Sequence, residues 1–402
     1  MAASRERVLR SLSFQTPDRL PKDLGGFLSS GISAFAYPKL VAALGLPPRP
    51  ARVHDAGQML ALPELDVLDA LGCDVVTICN DMTNAFEQPE LWHDYDFGGR
   101  LPARVRNPGD FAAQPDGTIV QGASRMVPSS YVFDVEHGGQ PLVLDGDLPK
   151  VDLAKMKQDL KDGELQDEQI RATRDLCRRV RESTDRAIFF NHGALIPNMA
   201  IHAHGGLAVF PLLCLLEPGY VAELHGLVTE HALRNIRALL PEIHDFIDIL
   251  WTAGDDWGTQ QNLIASPQVY RDLFLPYRRH INDECHQLAP TVKTFLHSCG
   301  AIYDLLDLFV ESRFDVLNPV QWSAGNRTYR EWKDKARNRI ALWGGGVNAQ
   351  TTLAHGTPRE VQAEARSVAA YLGQDGGFVF CSIHNLLAEV PAEKVVALYQ
   401  AV

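Results

Sequence analysis

Short apolar runs alternate along this chain with longer segments of helical period. The runs are rich in β-branched and aromatic side chains, which is typical of buried parallel strands, and they cover residues 73–79, 187–191, 246–252, 292–298, 314–320, 340–344 and 377–383. Amphipathic segments at 220–240, 267–288 and 358–372 predict helices between them. This alternation predicts an α/β protein built from repeated strand–helix units.

Two of the predicted helices carry explicit start signals. Ser266 before Pro267 is an N-cap followed by proline at the first helical position, and Thr357, Pro358 and Glu360 form a capping box. Seven strands with helices between them predict a single (β/α)8 TIM barrel over residues 1–402, with an N-terminal extension and the eighth strand within the first 70 residues. An open doubly wound sheet is the alternative.

Residues 98–143 do not follow the strand–helix alternation. The sequence Gln-Pro-Asp-Gly-Thr at 114–118 lies between short extended stretches and predicts a β-hairpin turn. We therefore expect a hairpin insertion at the mouth of the barrel. No internal repeat or low-complexity tract divides the chain, which favours one domain.

Composition and charge narrow the class of protein. The chain has 38 basic and 50 acidic side chains and a formal net charge of -12, which argues against a nucleic-acid partner. The start of the chain does not look like a signal peptide, and no apolar stretch reaches the roughly 18 to 20 residues that a membrane span needs, so we expect a cytoplasmic protein without a membrane partner. Seven cysteines without a CxxC pair indicate reduced thiols, some of which could be metal ligands.

The strongest candidate metal site lies at the ends of two predicted strands. His297 and Cys299 are two residues apart at the end of strand 292–298 and would project to the same face. Cys381 occupies the corresponding place on the last strand. One imidazole and two thiolates suit Zn²⁺ and leave the fourth tetrahedral position open for a substrate. The alternative is that both cysteines are small core residues, since free cysteine is among the most buried residue types.

Three further residues are candidates for catalysis. Asp255 and Asp256 follow strand 246–252, and His384 follows the last strand. An aspartate there could act as a base, accept a hydrogen bond from the substrate or orient an imidazole, whereas the alternative is a local cap. For His384 the alternative is a hydrogen-bonded loop histidine.

Other motifs carry less information. His202 and His204 could form a metal pair, but no third ligand can be named, and a solvated loop is favoured. The glycines at 344–346 fit either a phosphate-binding loop or a tight turn. No GxGxxG, P-loop or GxSxG motif is present, which argues against dinucleotide, nucleoside triphosphate and serine hydrolase chemistry.

Recurring blocks over almost the whole chain resemble the uroporphyrinogen decarboxylase superfamily. They include the segments 4–9 and 16–21, Gly-Asp-Asp at 254–256, His-Ser-Cys-Gly at 297–300, Asn-Pro-Val-Gln at 318–321, Trp-Gly-Gly-Gly at 343–346, His-Asn at 384–385 and Val-Pro at 390–391. The resemblance implies a (β/α) barrel with its site at the carboxyl ends of the strands. The decarboxylases of the family hold porphyrinogen carboxylates with an arginine-rich segment, whereas residues 22–30 here contain no arginine. Porphyrinogen decarboxylation is therefore disfavoured.

The resemblance implies a second branch, the zinc-dependent methyltransferases that work with corrinoid proteins. Their metal set is His-x-Cys plus a distant cysteine, which His297, Cys299 and Cys381 match. The function expected is a demethylase that moves a methyl group from a small O-methyl substrate to the cobalt of the corrinoid (cobalamin) carried by a partner protein. Trp251, Trp257 and Trp322 near the mouth favour this direction, unless they are core residues. The alternatives are methyl transfer from a corrinoid to a thiol, a metal-free decarboxylase of another substrate, and a barrel that binds a ligand without chemistry.

Overall fold

The computed structural model describes residues 3–135 and 147–402. Parallel strands pair with one another in chain order and curl into a barrel wall. They are Val75–Cys79, Ala187–Asn191, Ile249–Gly254, Lys293–His297, Val316–Asn318, Ala341–Trp343 and Phe378–Val379, with Met82–Thr83 added antiparallel to the first. Each of the seven runs predicted from the sequence overlaps one of these strands, so the barrel prediction is confirmed.

The barrel closes through a segment of only three residues. Lys22 forms a parallel bridge with Phe380, where the Asp23 N–H donates to the Phe380 carbonyl at 2.9 Å and the Phe380 N–H donates to the Pro21 carbonyl at 2.8 Å. On the other side, the Asp74 N–H donates to the Lys22 carbonyl at 2.7 Å. Residues 21–23 are therefore the missing strand, within the first 70 residues as predicted. The segment is too short and too polar to show a strand pattern.

Helices surround this wall, and the first of them, Ser4–Leu12, packs Val8 and Leu12 against the apolar interior of the barrel. They are Ser4–Leu12, Tyr37–Ala43, Leu65–Leu71, Leu153–Asp162, Asp167–Ser183, Gly206–Leu216, Pro218–Ile243, Pro267–Leu273, Leu275–Leu288, Leu306–Glu311, Tyr329–Ala336, Pro358–Leu372 and Ala392–Tyr399, with a π-helical turn at Ala349–Leu353. Both predicted caps form: the Ser266 side chain accepts from the Val269 N–H, and Thr357 forms the capping box with Glu360.

No single helix in the described ranges is long and apolar enough to cross a membrane. One pair, Gly206–Leu216 with Pro218–Ile243, passes the same criterion in combination, but it is bent by 112°. The first of these helices exposes Leu215 and Leu216 to solvent. The second buries many of its apolar side chains against the barrel and is amphipathic.

Strand alternation decides which side chains face the inside of the barrel. An apolar interior cluster contains Phe295, Val316, Trp343, Val379 and Cys381, each fully buried. The register places His297 beside Gly254 on one neighbouring strand and beside Asn318 on the other. Because side chains two apart share a face, His297 points inward like Phe295, at the carboxyl end of its strand. We call this end of the barrel the mouth.

Two smaller sheets lie beside the mouth: the first is mixed, because Ala51–Asp55 and Pro102–Val105 pair in parallel, and the second is antiparallel. One contains Ile32–Ser33, Leu60–Ala61, Ala51–Asp55, Pro102–Val105 and His93–Asp96, and the other contains Ser124–Met126, Ile119–Gln121 and Ala112–Ala113. The hairpin turn predicted at 114–118 joins two strands of the second sheet, as expected. These two sheets are more extensive than the predicted insertion, because their first strand begins at Ile32, which forms a parallel bridge with Leu386 after the last barrel strand. Residues 136–143 of the insertion lie outside the described residues.

Candidate functional site

His297 lies at the mouth, and its neighbours fix the orientation of its ring. Nδ1 is 2.8 Å from the Asn318 Oδ1, which can only accept, so Nδ1 carries the proton. The Asn318 Nδ2 donates to the Trp343 carbonyl at 3.0 Å, and this contact fixes which way the amide points. The lone pair of His297 is therefore on Nε2, which lies 3.3 Å from the Cys299 Sγ. Metal-bound histidines in proteins are held in the same way by an acceptor on the second nitrogen.

Cys299 is held in place by two crossing loops. Its N–H donates to the Asp256 Oδ1 at 2.8 Å, and the same oxygen lies 3.5 Å from the His297 Nε2. The loops cross at Gly258 and Gly300, where a Cβ on either glycine would overlap the backbone of the other. Gly300 has φ +89°, a conformation that glycine adopts without strain. Burial raises the pKa of the Cys299 thiol, and the neighbouring Asp256 carboxylate raises it further. A bound cation is therefore needed to make the thiol a thiolate.

His384 completes a compact group of donor atoms. One ligand atom each from His297, Cys299 and His384 lies within 4.8 Å of the other two. Burial lowers the pKa of His384, and the neighbouring His297 lowers it further, to about 4. The ring is therefore neutral above that pH. The Asn385 N–H donates to the His384 Nδ1 at 2.8 Å. A metal bound through either nitrogen would replace that hydrogen bond, since a neutral ring has only one lone-pair nitrogen.

Cys381, the predicted third ligand, belongs to the apolar interior cluster of the barrel. It is fully buried in the interior cluster, and burial raises the pKa of its thiol well above the ordinary value. Its Sγ and the Asn318 Nδ2 both border Gly344, at 3.2 and 3.3 Å from where a Cβ would stand. Among the described residues, the structure groups His297 and Cys299 with His384, and Cys381 stands outside that group. Cys381 lies two residues beyond Val379, the last residue of its strand, and its side chain is buried in the interior cluster. The chain then continues to His384, which lies beside His297 at the mouth.

The two adjacent aspartates have different surroundings. Asp255 is paired with the buried guanidinium of Arg278, on the helix Leu275–Leu288. Burial raises the pKa of Asp255, and Arg278 opposes that shift. Asp256 keeps 38% of its side chain exposed and contacts both His297 and Cys299. Of the two, Asp256 is the one that a substrate can reach, while Asp255 holds the loop to the barrel wall.

The closing strand and the segment that follows it add two residues, Asp23 and Ser29, that sequence reasoning missed. The Ser29 Oγ lies 3.1 Å from the His297 Nδ1. The loop that carries Ser29 is anchored by the fully buried Asp23, whose carboxylate accepts from the Ser30 Oγ at 2.5 Å and from the Trp343 Nε1 at 2.9 Å. Burial raises the pKa of Asp23 to about 6. The sequence offered no motif for Ser29, since a serine in a short loop has many possible roles.

The structure also shows the surroundings of three weaker candidates from the sequence. His204 bonds the Ala200 carbonyl and the Tyr220 hydroxyl, at 2.8 and 2.7 Å, so it is a structural residue. The glycines at 344–346 form a tight turn, in which the Gly346 N–H donates to the Cys381 carbonyl. Of the three tryptophans, Trp257 is buried in an aromatic cluster, whereas the other two are half-buried.

The donor set fits a zinc ion. Zinc is bound in proteins by thiolate and imidazole, and sites with three protein ligands keep a fourth position for water or substrate. His297 offers an oriented lone pair, Cys299 offers a thiol that a cation would deprotonate, and His384 offers a neutral imidazole. Their position at the mouth is where barrel enzymes place their chemistry.

Comparisons with known proteins agree with this architecture. Residues 250–402 match the family described as uroporphyrinogen decarboxylase (URO-D). A uroporphyrinogen decarboxylase from Legionella pneumophila (strain Lens) is 24% identical over 182 residues, which is 45% of this chain and about half, 46%, of the length of that protein.

Among solved structures, a methyltransferase from Methanosarcina mazei superposes with a TM-score of 0.54 at 15% identity, over 100% of this chain and 98% of the other. At that identity the likeness concerns the fold. The family match includes the strand ends that carry His297, Cys299 and His384. By sequence the chain is similar to the uroporphyrinogen decarboxylase family over residues 250–402, and over its whole length it shares a fold with the methyltransferase.

Proposed function

We propose that this protein is a zinc-dependent methyltransferase that moves a methyl group from a small methylated substrate, an O-methyl compound, to the cobalt of a corrinoid carried by a partner protein. The observation that carries the proposal is the group of His297, Cys299 and His384 at the mouth. We infer that these three residues hold the zinc ion, with His384 in the place that the sequence assigned to Cys381. The fold shared with a methyltransferase supports the same reaction class.

The bound zinc would act as a Lewis acid on the heteroatom that carries the methyl group, making it a better leaving group. The residues around it have separate tasks. Asn318 holds the proton of His297 on Nδ1 and so keeps Nε2 free as a ligand. Asp256, partly exposed beside Cys299, is placed to pass a solvent proton to the heteroatom after the methyl group has left.

The surroundings of the site disfavour a substrate with many carboxylates. Lys22, the single cation in the segment 22–30, is buried, and its amine donates to the carbonyls of Tyr399 and Val402. Arg278 is committed to Asp255. A porphyrinogen would lack its counter-charges here, which supports the methyltransferase over the porphyrinogen decarboxylase.

The test is methyl transfer under anaerobic conditions. Zinc-loaded protein is mixed with reduced cobalamin and a panel of methyl ethers, and methylcobalamin is followed by its absorption spectrum. We expect formation with at least one ether, loss of activity after chelation and recovery on adding zinc. His297→Ala should be inactive, whereas Cys381→Ser should keep its activity. A wild-type protein that fails to retain zinc after reconstitution would contradict the proposal.

A further inference from the structure

The helix Gly206–Leu216 has no polar side chain. Its sequence is Gly-Leu-Ala-Val-Phe-Pro-Leu-Leu-Cys-Leu-Leu. A helix at the surface of a protein normally turns an apolar face to the core and a polar face to water, whereas a helix that is apolar all round is usually buried. This helix is apolar all round, yet one of its faces reaches solvent. A second apolar surface is therefore expected to cover that face.

The other face of the helix packs on the protein itself. Val209, Phe210, Leu213 and Cys214 are buried, and they share one side of the helix because they are spaced by one, four and five residues. The Phe210 ring lies 6.4 Å from the ring of Phe274, measured between centroids. The core of this chain therefore uses this face alone.

The opposite face is an uninterrupted apolar stripe, made of residues 207, 208, 211, 212, 215 and 216, none of which is buried. We call it the leucine stripe. Leu207, Leu215 and Leu216 are 44%, 62% and 69% exposed. Seven large apolar side chains are exposed in the described part of the chain, and three of them are these leucines. Contiguous apolar patches mark interaction sites, whereas single exposed leucines are ordinary.

The leucine stripe lies at the mouth end of the barrel. Its helix follows the strand Ala187–Asn191, and the helix Pro218–Ile243 then leads back to the next strand. The stripe therefore belongs to a connection that leaves the carboxyl ends of the strands. Phe274, on which the helix packs, also contacts Trp257 in a loop of the mouth, with the ring centroids 4.6 Å apart.

The charge of the chain indicates which surface covers the leucine stripe. Each copy has a net charge of -12, so most faces of two copies repel each other. The stripe carries no charge, and Glu217, which follows it, is paired with Lys150 at 2.9 Å. Two copies can therefore meet there without bringing unpaired acidic groups together. A lipid surface fits less well, because helices that lie on membranes have a polar face rich in lysine and arginine.

The leucine stripe is also complementary to itself. Leu207 lies near its start, and Leu215 and Leu216 lie at its end. Two copies that pack antiparallel about a two-fold axis therefore bring leucine against leucine at both ends. The same arrangement sets the positive start of each helix beside the negative end of the other. Two helices of 11 residues make a small contact, which is typical of a reversible dimer.

We propose that the leucine stripe is the contact of a homodimer, in which two copies of the helix Gly206–Leu216 pack antiparallel. The dimer is in equilibrium with the monomer, with a Kd in the micromolar range. The mouth of each copy then lies beside the interface. The proposal does not depend on zinc or on methyl transfer.

Sedimentation velocity of the full chain, from low micromolar to millimolar concentration, tests the proposal. Leu207→Glu and Leu215→Lys each place a charge in the contact, and the sign of each charge suits the helix end where it stands, so the fold should be kept. We expect each variant to raise the Kd of the dimer at least about tenfold, because an unpaired charge is buried. Leu387→Glu changes a leucine that is 58% exposed outside the stripe and should leave the Kd unchanged.

The double variant with Leu207→Glu and Leu215→Lys tests the geometry. In an antiparallel pair each new carboxylate lies opposite the new ammonium of the other copy, so the double variant should dimerise more tightly than either single variant. A double variant no tighter than the single ones overturns the antiparallel arrangement.

A wild-type chain that stays monomeric at millimolar concentration overturns the proposal and leaves the leucine stripe to a protein of another sequence. A dimer that survives both single substitutions overturns it as well. So does a dimer that Leu387→Glu disrupts equally, because another face would then join the copies.

Discussion

Two fully buried aspartates lie at the short segment 21–23 that closes the barrel: Asp23 is part of it, and Asp74, just before the neighbouring strand, accepts from its Lys22 N–H. Asp74 precedes its strand, and its carboxylate is bound by Arg7 at 2.5 Å, by two nitrogens of Arg19 at 2.8 Å and by the Lys22 N–H. Asp23 lies toward the mouth, and the donors assigned to it, including the Ser30 hydroxyl and the Trp343 indole, are uncharged. The Asp74 carboxylate is paired with guanidinium groups. The Asp23 carboxylate instead accepts hydrogen bonds from uncharged donors.

The same contrast extends to the two ends as a whole. Asp248, which also precedes its strand, is 1% exposed and is bound by Arg5 and Arg181. The mouth instead gathers His297, Cys299 and His384, with the Asp256 carboxylate beside the first two. At the end of the barrel opposite the mouth, ion pairs with buried carboxylates stabilise the fold. The mouth keeps groups whose charge state a ligand can change.

The largest expected loss of stability comes from removing an ion pair at the end of the barrel opposite the mouth. Asp74→Ala would leave the buried Arg7 without one of its counter-charges, which costs about 3 to 5 kcal/mol of unfolding free energy for a buried pair. Urea unfolding measures this loss. Zinc bound per folded molecule should not change, and a variant that lost zinc while remaining folded would show that the two ends are coupled.

Asp23 should make stability depend on pH in the opposite way to a salt-bridged carboxylate. Its folded pKa, about 6, is above its ordinary value of 3.8. The associated stability is therefore fully present below pH 3.8 and is lost as the pH rises through 6, by up to about 3 kcal/mol.

Asn cannot ionise, so Asp23→Asn should remove this pH dependence. The variant has its own constant offset, because the Trp343 N–H loses an acceptor. The measurement is the difference in unfolding free energy between wild type and variant at pH 4 and at pH 7. A difference that does not change between these two values would mean that Asp23 is not desolvated.

At the mouth, the next largest effect is expected from Asn318, which holds the His297 ring in place. Asn318→Ala should lower zinc affinity about 10- to 100-fold, because His297 loses the acceptor that fixes its proton on Nδ1. Competition with a chromophoric chelator measures the affinity. Asn191→Ala is the matched control: Asn191 is a buried asparagine at the end of another barrel strand, with its amide bonded to Gly26 and Thr77. Equal losses in both variants would refute a specific role for Asn318.

The smallest effect is expected far from both ends, on the surface of the barrel. Thr357→Ala removes the hydroxyl that accepts from the Glu360 N–H at the start of the helix Pro358–Leu372. Loss of such a cap costs about 1 kcal/mol. Thermal unfolding should show this small change, with zinc affinity and methyl transfer equal to those of the wild type.

Much of the fold was predictable because its signals are local. Each predicted barrel strand exists, and the capping signals at Ser266 and Thr357 mark real helix starts. The closing strand was not identified, because the three residues 21–23 form only one bridge and carry polar side chains. The first sheet beside the mouth was missed for a similar reason, since it joins short strands from distant parts of the chain.

The candidate site was predictable only in part. His297 and Cys299 are close because they are two residues apart on one strand, which a sequence pattern reveals. The third member of the group follows from the path of the chain after the last strand, which brings His384 beside these two residues. Contacts across the barrel, such as that of Ser29 with His297, follow from closure of the whole wall and have no local signal.

The most direct test of the account is the number of sulfur atoms bound to zinc. X-ray absorption at the zinc edge distinguishes sulfur ligands at about 2.3 Å from nitrogen ligands at about 2.0 to 2.1 Å. We predict one sulfur, from Cys299, in the zinc-loaded wild type, an unchanged spectrum in Cys381→Ser, and a lost nitrogen ligand in His384→Ala. Two sulfur ligands in the wild type, one of them lost in Cys381→Ser, would contradict the assignment of His384 and restore the ligand set that the sequence alone indicated.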